Sequence, residues 1–226
     1  MEKILSFGEY PQTAKASWVK VGGVQDCRGY YKGSDGCYYA RTDSGDYFKV
    51  EPIKWRAFPE KNGAVLLLCE RVLDSHIFDA FYNDYEKSAV RAWLNGEFLS
   101  RAFTASEKGR ILVTKVDNSP ESTGDVPNYS ACPNTDDKVF LISVKEATSV
   151  ALGFDAAPFS CAARVRQPTD YAKERGAFSH WLLRSPDGGG YCSIVKKVDA
   201  GGCISVYRVK GGYDGYGIVP ALRIRL

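Results

Sequence analysis

Two apolar segments flank Asn62-Gly63 within "IKWRAFPEKNGAVLLLCERVLD", and apolar and polar positions alternate in the first of them, at residues 53–57. A period of two residues is typical of β-strands, and Asn-Gly supplies the positive φ angles of a tight turn. This pattern predicts a β-hairpin in which residues 64–69 form the most apolar strand. Residues 19–50 are rich in glycine, tyrosine and aspartate, and we expect short strands and loops there.

The segment "SAVRAWLNGEFLSRAF" has the 3.6-residue period of a helix. Ser88 is placed to cap its N-terminus, because a serine hydroxyl accepts from the free N–H groups of the first turn. The apolar residues that share one face of this helix are Val90, Trp93, Leu94 and Phe98. Thr104 and Glu107 follow with the spacing of a capping box and predict another short helical turn.

A second helix is predicted after residue 143. Ser143 and Glu146 form a capping box, and the apolar stripe continues through Ala147 and Val150. Gly153 stands where a left-handed C-cap residue belongs. The segment before this helix, residues 118–137, holds prolines, serines, asparagines and aspartates, and it is predicted to be a long loop.

The remaining apolar segments are short and are separated by turn residues. The predicted strands are "RILVTKVDN", "KVFLIS", "HWLLRSP", "YCSIVKKV", "CISVYRV" and "GIVPALRIRL". Two helices among many short strands, without a βαβ rhythm, indicate an α+β fold with a mainly antiparallel sheet. No segment resembles a linker, so residues 1–226 are predicted to form a single domain.

Composition and charge exclude several classes of protein. The formal net charge is +3 over 226 residues and the basic residues are scattered, so no nucleic-acid-binding surface is predicted. The strongly apolar run at residues 64–69 is far shorter than the ~20 residues of a membrane span, so no membrane insertion is predicted. The N-terminus "MEKILSFGEYPQT" lacks the pattern of a signal peptide, which predicts synthesis in the cytoplasm. A final location on a virion or a cell surface stays open.

Cysteine and histidine usage gives little support for catalysis. The seven cysteines show no C-x-x-C spacing, and free thiols in a reducing compartment are favoured. The pairs Cys27/Cys37 and Cys192/Cys203 flank short loops and could form disulfides under oxidising conditions. Among nucleophile–base pairs, Cys161 with His180 is conceivable, but a structural histidine beside a tryptophan is favoured.

Metal sites are not indicated either. Zinc needs several cysteine or histidine ligands close together, and residues 32–36 and 134–138 are oxygen-rich without following a calcium-binding pattern. We therefore predict a protein that is not an enzyme, with no catalytic residue, no metal ligand and no cofactor. Trp55, Trp93 and Trp181 are predicted to lie in the core, and a buried Arg184 must be paired.

Eight motifs, taken in order, resemble a bacterial domain family of undefined function, DUF6273. They are "FGEYPQT", "PIKWRAF", "LLLCERVLD", "SAVRAWLNGEFLSRAFTASEK", "DKVFLISVKEA", "PTDYAKERG", "HWLLRSP" and "GIVPALRIRL". The last two motifs are the most specific, although residues 218–220 depart from the family's usual sequence. That family looks related to the C-type lectin fold, in the branch of formylglycine-generating enzymes and retroelement-diversified variable proteins.

The resemblance implies a C-type lectin-like fold, with a twisted, mainly antiparallel sheet, two helices and chain ends close together. The final strand would then pair near the N-terminal strand. It also implies a ligand-binding surface after residue 185, the region whose exposed residues are varied in the diversified proteins. Mutation at adenine-containing codons there yields tyrosine, serine, aspartate, glycine and cysteine.

This region of the chain has the composition of a binding surface. Residues 185–217 hold nine of the 22 glycines and four of the 14 tyrosines. Tyrosine gives rigid amphipathic contacts, and serine, glycine and aspartate give adaptable hydrogen bonds. We therefore predict a recognition module for a protein or glycan ligand. Its predicted ligand-binding residues are Tyr191, Ser193, Ser205, Tyr207, Tyr213, Asp214 and Tyr216.

Three other functions remain as alternatives. A copper oxidase similar to the formylglycine-generating enzymes needs two neighbouring cysteines, and Cys192 and Cys203 are the candidates. A calcium-dependent sugar binder needs a Glu-Pro-Asn or Gln-Pro-Asp triplet, which residues 51–53 and 167–169 match at two of three positions. The third alternative is a structural component of a phage or surface assembly.

Overall fold

The structure is a computed structural model that describes residues 3–61, 63–124, 132–187, 189, 191–210 and 215–225. Its secondary structure is mixed and rich in strands, which confirms the predicted α+β class. The strands are β1 (Lys3–Ala14), β2 (Val21–Gln25), β3 (Tyr31–Gly33), β4 (Tyr38–Arg41), β5 (Tyr47–Pro59), β6 (Ala64–Cys69), β7 (Asp74–Ser75), β8 (Thr114–Val116), β9 (Thr135–Asp137), β10 (Val139–Phe140), β11 (Ala177–Pro186), β12 (Ile194–Val198), β13 (Ile204–Arg208), β14 (Gly215–Ile218) and β15 (Ala221–Arg225).

The larger sheet is antiparallel and has the order β10-β15-β6-β5-β4-β3-β2, with β1 also paired to β5. The predicted hairpin is confirmed as β5 and β6, which pair from Trp55↔Cys69 to Pro59↔Val65. Gly63 has φ +78°, so the glycine of Asn-Gly supplies a positive φ as expected. The turn is longer than two residues, because the N–H of Glu60 donates to the carbonyl of Ala64.

The second sheet has the order β13-β12-β11-β14-β7 and carries the C-terminal hairpin. Its central pair, β11 and β14, is parallel, with Trp181 opposite Gly217. Only a residue without a side chain fits there, since a Cβ on Gly217 would lie 2.2 Å from the His180 carbonyl oxygen. β8 and β9 form a separate two-stranded sheet.

The helices are short. They are α1 (Ala89–Trp93), α2 (Leu99–Ala102), α3 (Ala105–Arg110), α4 (Pro120–Thr123), α5 (Val144–Ala147) and α6 (Asp170–Glu174), with a π-helical segment Leu94–Phe98 between α1 and α2. The predicted first helix is thus confirmed, and the hydroxyl of Ser88 accepts from the N–H of Arg91 at its start. The two predicted capping boxes, at Thr104 and at Ser143, are both present.

Several local predictions were wrong. The helix after Ser143 stops at Ala147, and a separate 3₁₀ turn, Val150–Leu152, leads to Gly153. Residues 170–174 form α6, a helix that was not predicted, and residues 135–137 form β9 rather than loop. The final strand, β15, pairs with β6 and β10, so two strands separate it from β1. In each case tertiary pairing overrides the local pattern.

The core lies between the two sheets and the helices. Trp55 and Trp181 are fully buried and Trp93 is 9% exposed, which confirms the predicted core tryptophans. Burial of a large apolar side chain contributes about 1.5–3 kcal/mol relative to exposure. The buried Arg184 is paired with Glu146, as charge in the core requires.

A second buried guanidinium holds an irregular segment against the core. Arg164 is fully buried, and each of its five N–H groups has a carbonyl acceptor. These acceptors are the main-chain oxygens of Ala147, Asp155, Ala157, Phe159 and Gly202. Residues 155–159 and the turn before β13 are therefore fixed by one side chain. Within the described ranges, no helix has the length and apolarity to cross a membrane.

Candidate functional site

The C-terminal hairpin forms one side of the candidate site. β12 and β13 pair in register from Ile194↔Arg208 to Val198↔Ile204, and β13 is the edge of its sheet. Val195 is buried and attaches one face of the hairpin to the core, while Val206 and Arg208 on the other face are exposed. The alternation of a strand thus gives the hairpin a solvent-facing set of residues.

The other side is the loop between β7 and α1. Between this loop and the open end of the hairpin lies a groove of about 470 Å³. We call it the hairpin groove, and its lining residues are Ala80, Phe81, Ser193, Ile194, Arg208, Val209 and Lys210.

Asn83 joins the two sides of the groove. Its own N–H donates to the carbonyl of Cys192 at 2.7 Å, and its side-chain Nδ2 donates to the carbonyls of Tyr191 at 3.0 Å and Ile194 at 2.8 Å. Asn83 is 2% exposed, so water does not compete strongly for these donors. The turn that presents Tyr191 is therefore fixed relative to the loop.

Asp79 shapes the loop. Its Oδ1 accepts from the N–H groups of Phe81 at 2.9 Å and Tyr82 at 3.1 Å, and its Oδ2 accepts from the N–H of Ala89 at 3.2 Å. Partial burial alone would raise the pKa of Asp79, but these N–H groups favour the ionised form and lower it. A carboxylate that accepts three backbone N–H groups holds the loop against the start of α1.

Three aromatic rings are exposed on the two segments that Asn83 joins, and one of them, Phe81, lines the groove. Phe81 and Tyr82 are each 62% exposed, and Tyr191 is 64% exposed. The ammonium of Lys210 lies 4.9 Å from the ring centroid of Phe81, within the range of a cation–π contact. Large rings grouped at the surface are unusual where no partner covers them, and they are typical of interaction sites.

The predicted ligand-binding residues are divided between this groove and the opposite face of the hairpin. Ser193 lines the groove, and Tyr191 is exposed two residues before it in the same turn. Tyr207 is half-buried on the other face, where its ring contacts His180 at 6.2 Å and Tyr216 at 5.0 Å between centroids. Ser205 points to the same face, and its hydroxyl oxygen is buried. The structure thus separates these two residues from Tyr191 and Ser193.

The predicted exposure of Tyr216 was wrong. Tyr216 lies in β14, is 1% exposed, and donates through its hydroxyl to the carbonyl of Arg208. The parallel pairing of β14 with β11 places it in the core, which a local glycine-rich pattern does not reveal. Tyr213 and Asp214 lie outside the described residues.

Of the groove-lining residues, the sequence predicted only Ser193; among the residues it did not indicate are Phe81, with its exposed neighbour Tyr82, and the cations Arg208 and Lys210. For the first two a signal was present, because "FDAFYND" places aromatic residues among turn-forming aspartates. Nothing in the sequence indicated that this loop meets a turn more than 100 residues away. Arg208 and Lys210 were visible only as ordinary basic residues of a strand end.

The described residues show little that resembles a catalytic centre. Cys161 is 4% exposed, and the ring of His180 stacks on Phe178 at 5.9 Å. Cys192 lies just before β12, at the open end of the hairpin, and Cys203 lies just before β13, at the turn end. The length of β12, five residues or about 17 Å of strand, separates these two ends. The two cysteines are therefore not arranged to hold one copper ion or to form a disulfide. All seven cysteines are free, and the described residues contain no group of three or more metal-ligating side chains.

Comparison with known proteins adds one finding. Residues 62–226 match the model of the family described as Domain of unknown function (DUF6273). This range includes both sides of the hairpin groove. No curated protein and no solved structure matches the chain.

Proposed function

The chain belongs to the DUF6273 family, and we propose that it is a non-catalytic recognition module that binds its ligand at the hairpin groove. One observation carries the proposal: Phe81, Tyr82 and Tyr191 are exposed together on backbone that the buried Asn83 holds in place. Fixed aromatic rings give contact area at little cost in conformational entropy, because few torsions are frozen on binding.

The surroundings of the rings support recognition rather than chemistry. Ser193 is exposed, but the carboxylate of Asp79 is directed at backbone N–H groups and the His76 ring stacks on Trp93 at 5.1 Å. A serine nucleophile needs a base within hydrogen-bonding reach. Instead, the site is carried by a loop and a turn that the hydrogen bonds of Asn83 hold together, and such fixed backbone suits a binding site.

The finer features implied by the family resemblance belong to the same proposal. We propose a C-type lectin-like arrangement in which the C-terminal hairpin displays the residues that select a ligand. The exposure of Tyr191 and Ser193 on that hairpin supports a surface that a retroelement could vary without disturbing the core. A bacterial or phage surface is the setting that this proposal implies.

The test compares binding by variants of matched exposure. Wild-type protein is screened against arrays of glycans and bacterial surface proteins, and the hits are titrated. The double variant Phe81→Ala/Tyr191→Ala removes the groove-lining ring of Phe81 and the exposed ring on the adjoining turn, whereas Trp18→Ala removes a ring that is 69% exposed outside the groove. We expect the double variant to lose at least about 2 kcal/mol of binding free energy, the range of interface hot spots.

Melting temperatures serve as the folding control, and all three proteins should melt within a few degrees of one another, because exposed rings contribute little to stability. Equal affinity of wild type and the double variant for every ligand found would refute recognition at the groove. Loss of ligand affinity in Trp18→Ala but not in the double variant would place the binding surface outside the groove.

A further inference from the structure

We infer that the hairpin groove takes an acidic peptide segment of a partner protein, in which an apolar side chain is flanked by carboxylates. The inference rests on the proposed recognition function and adds the class of ligand. It follows from the charge on the rim of the groove and from the chemistry of its floor.

The rim carries two cations that no carboxylate of the described residues compensates. Arg208 and Lys210 are exposed, and neither side chain forms an ion pair with a carboxylate of the described residues. A neighbouring cation is different, since Lys196 lies 2.9 Å from Asp187. The Asp79 carboxylate near the groove is satisfied by backbone N–H groups of its own loop. The rim thus presents positive charge to a ligand.

The floor is apolar. Ala80, Ile194 and the buried Val209 line it beside the ring of Phe81, and Ser193 supplies the single side-chain hydroxyl among the described lining residues. A sugar bound there would place several hydroxyls against aliphatic carbon, and each buried hydroxyl without a partner costs about 1–3 kcal/mol. A leucine-like or aromatic side chain has no hydroxyl that must be desolvated, and its burial contributes favourable binding free energy.

Floor and rim together therefore favour a peptide over a glycan. An apolar side chain occupies the floor, and the carboxylates of its neighbours reach Arg208 and Lys210. Guanidinium and carboxylate can form two parallel hydrogen bonds, which fixes the direction of the segment. The cation–π contact of Lys210 with Phe81 positions the ammonium over the groove.

The experiment uses a randomised peptide display library as the probe, with the full chain as bait. Peptides retained by wild type but released by Phe81→Ala/Tyr191→Ala are sequenced, and the most enriched peptide is synthesised with its acids intact or changed to amides. Affinities are measured for wild type, for Arg208→Glu/Lys210→Glu, and for Lys20→Glu/Lys115→Glu. The last variant changes the net charge equally at two exposed lysines outside the groove.

We expect enrichment of aspartate and glutamate beside an apolar residue. The affinity should fall at least about tenfold in Arg208→Glu/Lys210→Glu and in the amide peptide, and less than about threefold in the control variant. Raising the salt concentration from about 0.05 M to 0.5 M should lower the affinity for the acidic peptide and leave the affinity for the amide peptide nearly unchanged.

Other outcomes separate the inference from the function on which it rests. Enrichment of neutral or basic peptides whose binding still depends on Phe81 would refute the acidic ligand. It would leave the proposed recognition function unaffected. Retention of acidic glycans on an array, dependent on Arg208, would overturn the peptide. If no probe of either class is retained through the groove, both the inference and the proposed function are refuted.

Discussion

The side-chain amide of Asn83 donates to the carbonyl oxygen of Tyr191 across 3.0 Å and joins residues 108 positions apart in the chain. This bond holds the turn that carries the exposed ring of Tyr191. The same amide also donates to Ile194, where β12 begins. A single buried side chain thus sets the geometry of the groove.

The first prediction concerns this bond. Asn83→Ala should lower the free energy of unfolding by about 1–3 kcal/mol, because the Tyr191 and Ile194 carbonyls lose a buried donor. It should also weaken ligand binding, because the turn must then be ordered on binding. Amide hydrogen exchange at residues 191–194 and urea denaturation measure the two effects. Faster amide hydrogen exchange only in segments other than residues 191–194 would contradict the role assigned to Asn83.

The second prediction concerns Arg164. Arg164→Lys keeps the charge but offers three donors to five carbonyl oxygens, so at least two of them become unsatisfied. We expect a loss of about 3–5 kcal/mol in unfolding free energy by urea denaturation. Arg225→Lys, at an exposed position, should change it by less than about 0.5 kcal/mol. Equal effects of the two variants would be evidence against the role assigned to Arg164.

The third prediction is a pH dependence that arises from Glu146. Burial alone would raise the pKa of Glu146, but the guanidinium of Arg184 and the N–H of Ser143 hold it below its usual range. A carboxyl whose folded pKa is lowered stabilises the protein above its unfolded pKa, near 4.3, and that contribution is lost as pH falls further. Unfolding free energy should therefore decline below about pH 4.3.

Two variants test whether the loss of stability at low pH arises from Glu146. Glu146→Gln should cost about 3 kcal/mol at pH 7, because it leaves Arg184 without its counter-charge, and the difference from wild type should shrink at pH 3. Glu121→Gln, at an exposed carboxylate, should follow wild type at both pH values. A difference between Glu146→Gln and wild type that does not depend on pH would exclude Glu146 as the source.

The fourth prediction uses two glycines. A Cβ on Gly217 would lie 2.2 Å from the carbonyl oxygen of His180 and 2.8 Å from Val72 Cγ1, so Gly217→Ala should cost at least about 2 kcal/mol. Gly96, within the helical segment, has open space where its Cβ would stand. Gly96→Ala should therefore stabilise the protein by about 0.5–1 kcal/mol. Thermal melting measures both, and shifts of the same sign would contradict the parallel pairing of β11 with β14.

Local chemistry made part of the fold predictable. Ser88, Thr104 and Ser143 begin helices because a hydroxyl near free N–H groups satisfies them wherever the segment lies in the fold. The hairpin of β5 and β6 follows from two apolar segments with a turn glycine between them. Arg184 had to be paired if it was buried, since an isolated charge in a core is costly.

The sequence by itself determined these capped helix starts, the β5–β6 hairpin and the core tryptophans. Only the tertiary structure decided which tyrosines reach solvent. A period of two separates the faces of a strand without saying which face meets the core, so Tyr216 and Tyr191 looked alike until β14 paired with β11 and Asn83 met the turn at residue 191. Contacts between segments more than 100 residues apart leave no periodic trace, because packing of the whole chain, rather than local spacing, brings them together.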